Sequence, residues 1–228
     1  MSIAEKFEVI ADAVYVKGEE NTRLAVWNAI TGNGTRTNGQ RMFAETDFSN
    51  FDFPKAINIT ATAQQMFYNY KGEILPPKNK IDLSGLSISA ASTTYMFAQS
   101  AEIIEIPDYG TPAANSLAYA FQKCGKLETI EKIRCNKNTI FATTAAPSAS
   151  GAFLGCNSLK NVTFEGEIGK DINFVDCPNL TLVTLLHIID QLSRESVGTI
   201  SLSDESKILL GDDNLNSIIE KGWSYVWK

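Results

Sequence analysis

The feature that most constrains this 228-residue chain is a recurrence. Residues 151–159 read GAFLGCNSL, with the skeleton Phe153-x-x-Cys156-x-x-Leu159. The same skeleton stands in AYAFQKCGKLETI as Phe121-x-x-Cys124-x-x-Leu127, and in INFVDCPNLTLV as Phe174-x-x-Cys177-x-x-Leu180. Looser copies precede them: Phe97-x-x-Ser100-x-x-Ile103-x-x-Ile106, Phe67-x-x-Tyr70 and Phe43-x-x-Thr46. The phenylalanines thus recur at intervals of 24, 30, 24, 32 and 21 residues. A motif at that period marks a row of small units, each unable to bury its own apolar residues and each dependent on its neighbours. The expectation is six rings in one stack.

Each unit repeats its parts. A small or apolar residue precedes the ring (Met42, Met66, Met96, Ala120, Ala152), and a short polar turn follows it. Then comes an alternating stretch such as Leu127-Glu-Thr-Ile130-Glu-Lys-Ile133 or Leu159-Lys-Asn-Val162-Thr-Phe164, which reads as a short strand. INIT at 57–60 and IDLS at 81–84 add second short pieces. Cys124, Cys156 and Cys177 fill a slot that holds Ser100, Thr46 or Tyr70 elsewhere, so they read as small core residues. The chain has no CxxC pair for zinc. A cross-link between adjacent units stays open at this point. Cys135, in IRCNK, lies outside the slot and is expected at the surface.

At AFQKCGKLETI and AFLGCNSLKNVTF the chain resembles the BspA-like leucine-rich repeats, whose pattern is A-F-x-x-C-x-x-L-x-x-I. The resemblance covers roughly residues 40–185. It implies an α/β repeat solenoid, a leucine-rich-repeat fold of about six irregular coils with a helical N-terminal cap and an α/β C-terminal cap. The flanks, MSIAEKFEVIADAV with VWNAITGNGTRTNGQRMF and the ending TISLSDESKILLGDDNLNSIIEKGWSYVW, are similar to small leucine-rich-repeat proteins of phages and prophages in gut bacteria. That similarity implies a noncatalytic role in recognition, adhesion or virion structure, and names no ligand.

The expected organisation is an N-terminal helical cap over 1–39, the repeats over 40–183 and a C-terminal α/β cap over 184–228. Residues 3–17 carry Ile3, Phe7, Ile10 and Val14 at helical spacing, with Ser2 and Glu5 as a capping box. Two uses are open for that helix: a seam joining copies into a homo-oligomer, or a lid on the first coil. A packed lid is expected for 20–31. At the other end Leu185, Ile188, Ile189 and Leu192 share a face of a helix starting near Thr184. TISLS at 199–203 and WSYVW read as strands, with a short helix capped by Asp212 or Asp213 between them and closed by Gly222.

Charge and length narrow the function classes. The net charge of −6 argues against nucleic acid and against an anionic membrane surface. No apolar run reaches the roughly 20 residues that span a bilayer, so no membrane insertion is expected. The start MSIAEKFEVIADAV lacks the pattern of a signal peptide. A chain so read is cytoplasmic at synthesis, with virion association to follow, or reaches the cell surface if a signal has been removed.

Catalytic motifs fail one by one, so catalytic, cofactor and metal sites are all read as none. GNGTRTNG at 32–39 misses G-x-G-x-x-G at Thr37 and the P-loop lysine at Gln40, and reads as a turn. His187 is the single histidine, too few for a histidine–metal cluster. Carboxylate pairs such as Glu165 with Glu167 and Glu128 with Glu131 have the spacing a glycosidase needs, but also that of a solvated strand face. The 134–150 insertion, rich in Ala, Thr and Ser, reads as a mobile loop in which recognition also often sits.

If the strands follow the repeat, the residues between core positions form an open face: Asn50, Asp52, Glu105, Thr129, Glu131, Asn161 and Thr163. That face is expected to be acidic and hydroxyl-rich, fit for a protein or glycan partner. The leading expectation is therefore a noncatalytic interaction module. The alternatives are a purely structural assembly subunit and a solenoid glycan hydrolase using a carboxylate pair.

Overall fold

The protein is described by a computed structural model over residues 34–41, 44–45, 57–70, 86–88, 92–108, 115–142 and 151–227. The expected helix at 3–17, the lid at 20–31 and Phe43, Asn50 and Asp52 lie outside the described residues.

The phenylalanines dictate the first half. Phe67, Phe97, Phe121, Phe153 and Phe174 are all fully buried. Their rings stack in sequence order, with centroids 5.2, 5.9, 5.5 and 4.7 Å apart and planes within 20°. Phe164 closes the far end of the row edge-on, against Phe153 and Phe174.

The backbone around each ring explains the stack. In residues 63–70, alternate amides close tight turns: Met66 N–H donates to Ala63 O, Tyr68 to Gln65 O and Tyr70 to Phe67 O. The remaining amides point at the next turn. Gln65, Phe67 and Asn69 donate to Thr94, Met96 and Ala98 carbonyls at 3.0, 2.7 and 2.8 Å. Residues 95, 97 and 99 repeat this onto 118, 120 and 122. Half of the donors are thus satisfied locally and half by the neighbouring turn, so a turn cannot be buried without its neighbour. The alternation requires left-handed backbone two residues before and two after the ring. Gln65 and Asn69, Tyr95 and Gln99, and Tyr119 and Lys123 all have φ between 50° and 68°. At the end of the row Gly155, with φ of 74°, donates its N–H to the Asp176 carboxylate at 2.9 Å.

The slot three residues after the ring has a polar task. Cys124, Cys156 and Cys177 donate their thiols to the carbonyls of Phe97, Phe121 and Phe153 at 3.1, 3.0 and 3.6 Å. Ser100 donates to Phe67 O at 2.8 Å and accepts the Tyr70 N–H at 3.0 Å. Phe67, Phe97, Phe121 and Phe153 therefore each have their carbonyl covered by the following unit's side chain.

The expected single leucine-rich-repeat solenoid of about six coils is corrected here. The described residues form three separate three-stranded parallel sheets and two helices. The first sheet joins β1 (Gly34–Asn38), β2 (Ile57–Thr62) and β3 (Leu86–Ile88). The second joins β4 (Glu105–Ile106), β5 (Thr129–Arg134) and β6 (Asn161–Glu165). The third joins β7 (Ile172–Phe174), β8 (Thr199–Leu202) and β9 (Ser224–Trp227). A leucine-rich repeat keeps its strand at one place in every coil. Here β2 and β3 precede the phenylalanine turn, whereas β4, β5 and β6 follow it. The first row dwindles to single bridges, Thr62 to Ser92 to Ser116 to Ile140, where the second row begins. The intervals of 21 to 32 residues are the physical reason: unequal chain between rings moves the extended stretch from one side of the turn to the other.

The third sheet alternates with α1 (Leu182–Gln191) and α2 (Asp204–Glu220). Thr181 caps α1 by accepting the Thr184 N–H, so the helix begins at Leu182, ahead of the expected Thr184, and Ser203 caps α2 by accepting the Ser206 N–H. Gly211, with φ of 67°, breaks α2 just before the short helix expected from Asp212, and residues 204–210 were not anticipated as helical. Trp223 is buried and donates its indole N–H to Ser193 O at 2.8 Å. Gly198 lies against that ring so closely that a Cβ there would come within 2.6 Å of it.

Other expectations also change. Residues 34–38, read as part of a turn within the N-terminal cap, form strand β1 because they pair with β2 in register. Cys135 is buried, not exposed, as are Thr139 and Phe141 after it; residues 143–150 of the expected loop lie outside the described residues. The Phe141 ring meets Phe164 edge-on at 5.9 Å. Strand β7, which carries Phe174, pairs with β8.

Candidate functional site

The expected face is assembled in part by the second sheet. Register places Glu105 beside Thr129 and Thr129 beside Asn161, one residue per strand. They sit there because Ile106, Ile130 and Val162 turn inward at the next position and are buried. The register slips between Ile130 and Ile133, so Glu131 falls in an irregular stretch of β5. Its carboxylate accepts the Asp108 N–H at 3.2 Å. Thr163 is exposed on β6 between the buried Val162 and Phe164. Asn161 accepts the Thr181 hydroxyl at 3.3 Å.

The face is less acidic than its residues suggested. Arg134 grips Asp108 with two nitrogens, at 2.5 and 2.6 Å. Lys132 lies 3.1 Å from Glu165 and 3.4 Å from Asp108, and Arg134 reaches Glu165 at 3.7 Å. Hydrogen bonds to Glu165 and then Asp108 hold the Lys132 ammonium above the usual lysine range. At the neighbouring position Lys160 pairs with Glu128 at 2.9 Å. Lys132 and Arg134 were absent from the sequence-based face. Their signal was present, since both lie beside the inward Ile133. The carboxylates of Asp108 and Glu165 each meet both Lys132 and Arg134.

A second surface was not foreseen. Tyr95 and Tyr119 stack with centroids 4.7 Å apart and planes within 8°, both half-buried, two residues before the buried Phe97 and Phe121. Burial pushes the Tyr95 phenol up, and the neighbouring phenols of Tyr119 and Tyr68 add to the shift. Arg41 lies over the Tyr68 ring at 5.8 Å and pairs with Glu45 at 3.1 Å. Alongside runs a row of neutral polar groups. Gln64 donates to Ser92 Oγ at 3.1 Å, Ser92 meets Thr94 Oγ1 at 3.0 Å, and Thr94 meets Ser116 Oγ at 3.2 Å. The sequence carried a signal for this pair, since Tyr95 and Tyr119 share the interval of Phe97 and Phe121. Left-handed backbone costs about 1–2 kcal/mol at each tyrosine. A stacked pair returns about 0.5–1.5 kcal/mol beyond its buried area. The same cost falls on Gln65, Asn69, Gln99 and Lys123, so it belongs to the turn and not to tyrosine.

The remaining reactive groups are occupied structurally. All four cysteines are free and buried. Burial pushes the thiols of Cys124 and Cys135 up to about 12, and raises Cys156 and Cys177 also, which removes the thiolate that a nucleophile or metal ligand requires. His187 accepts the Phe164 N–H at 3.0 Å, so α1 covers the outer edge of β6. Among the described residues no helix is long and apolar enough to cross a membrane. No protein-family model, curated protein or solved structure matches the chain.

Proposed function

We propose that the protein is a noncatalytic interaction module that binds a protein or glycan partner through the face of β4, β5 and β6. One observation carries this reading: Glu105, Thr129 and Asn161 are aligned across three strands whose opposite side is fixed in the core. Polar groups held in register on a rigid backbone lose little freedom on binding. The paired charges of Asp108, Glu165, Lys132 and Arg134 border that row and favour a partner carrying both signs or none over a polyanion. The proposed setting is a phage or prophage product that meets a host surface, on the resemblance of the two flanks.

The test compares the wild type with a Glu105→Ala, Thr129→Ala, Asn161→Ala variant, both immobilised and exposed to purified host surface proteins and a glycan array. The expected result is retention of a defined ligand by the wild type and its loss in the variant at an unchanged melting temperature. Equal retention by both proteins overturns the assignment of this face.

A further inference from the structure

We propose that strand β9 is a dimerisation edge, along which a second copy of this chain adds its own β9, antiparallel, about a two-fold axis at Val226. The inference goes beyond the reading of β4, β5 and β6 as a binding face and does not depend on it. A dimer of this kind presents that face twice.

The backbone of β9 calls for an extended chain beside it. Among the described residues β9 pairs with β8 and with no other strand. Ser224 donates its N–H to Gly198 O at 2.9 Å, so Ser224 and Val226 turn their backbone groups toward β8. By the alternation of a strand, Tyr225 and Trp227 turn theirs away. Two donors and two acceptors therefore line the outer edge, a row that another strand satisfies. The usual guards of an edge are missing, since Ser224–Trp227 holds no proline and no charged side chain, and its register with β8 has no bulge.

The side chains select a second copy as that strand. Tyr225 and Trp227 stand one on each side of Val226, and their rings stack with centroids 5.1 Å apart. A two-fold axis at Val226 sets Tyr225 opposite the partner's Trp227, and Trp227 opposite the partner's Tyr225. Both outward backbone pairs are then made in one register, with the rings as cross-strand neighbours. The contact covers Trp227, which is 42% exposed. Charge agrees with this choice. The chain carries −6, so two copies repel in most approaches, whereas β9 is uncharged and the group lying 3.7 Å from the Trp227 ring is the cation of Lys207. Two-fold pairing uses up the edge in both copies, so the assembly closes at two.

The experiment is sedimentation equilibrium on the whole chain over a concentration series, with hydrogen exchange at matched concentrations. The wild type is expected to be a dimer at about 100 μM and to dissociate on dilution. The Tyr225 and Trp227 amides should be protected in the dimer and exchange faster as it dissociates. Val226→Lys and Val226→Glu each set like charges opposite one another across the axis, and each should weaken dimerisation at least tenfold. Mixed in equal amounts the two variants should pair again, a recovery that unfolded variants do not show. Trp227→Pro removes an outward N–H and no bond to β8, and should also be monomeric. A wild type that is monomeric at about 100 μM, a dimer with unprotected Tyr225 and Trp227 amides, or charge variants that dimerise like the wild type or fail to pair when mixed, overturns the inference. The Glu105→Ala, Thr129→Ala, Asn161→Ala variant should dimerise normally, so failure of this edge and failure of the binding face are read separately.

Discussion

The ring stack and the C-terminal unit solve one problem in opposite ways. Both must satisfy buried backbone groups beside bulky aromatic residues. In the stack each turn relies on its neighbour: Phe67, Phe97 and Phe121 all donate to the following turn, and their carbonyls are covered by Ser100, Cys124 and Cys156. In the C-terminal unit the three strands still need one another, but the helices do not. Helices α1 and α2 satisfy their own interiors, and Thr181 and Ser203 cap their first turns. Trp223 needs one carbonyl, that of Ser193. A defect in the stack is therefore expected to spread along the row, whereas one in the C-terminal unit should stay local.

The sharpest way to break this contrast is Phe121→Ala. It removes a ring that touches Phe97 on one side and Phe153 on the other, and should cost about 3–5 kcal/mol. Chemical denaturation measures the loss. Hydrogen exchange should report loosened amides in the turns on both sides, at 93–100 and 151–156, and protection confined to one side would contradict mutual dependence.

Gly198→Ala tests the other region. The new methyl would meet the Trp223 ring, and overpacking of this kind costs about 1–3 kcal/mol. Exchange should quicken in β8 and β9 and not in the ring stack. Acceleration around Phe97 would show that the two regions are one cooperative unit.

Cys156→Ala is smaller. It leaves the Phe121 carbonyl without its thiol donor and should cost about 1–2 kcal/mol. Cys156→Ser should recover part of this, because Ser100 already performs the same task. An alanine variant as stable as the wild type would reduce the slot to plain packing.

Alkaline titration probes the thiols of both rows together. In the folded chain the Cys124 and Cys135 thiols are pushed up to about 12 by burial, while unfolded cysteine titrates near about 8.5. Between those limits the unfolded chain releases protons that the folded chain keeps. Stability is therefore full below about pH 8.5 and declines toward about pH 12. A thermal-melt series across that range checks it, and Cys124→Ser should flatten the decline.

Residue spacing alone disclosed the rings. Phe-x-x-Cys-x-x-Leu required neighbouring units to bury one another's side chains, and five of the expected rings do stack. The inward positions of β5 and β6 were legible for the same reason: alternation reports a face directly. The strand's place within each unit was not legible, because unequal intervals can be absorbed on either side of the turn. The candidate face was legible only in part. Glu105, Thr129 and Asn161 come into register, but the bulge after Ile130 and the pairing of Arg134 with Asp108 depend on strands more than twenty residues apart. Tyr95 and Tyr119 share the interval of Phe97 and Phe121, but that interval did not reveal the left-handed backbone from which their rings project. Sequence determines which residues must leave water. Tertiary structure decides which polar groups then meet, because a hydrogen bond depends on distance and direction that no periodicity encodes.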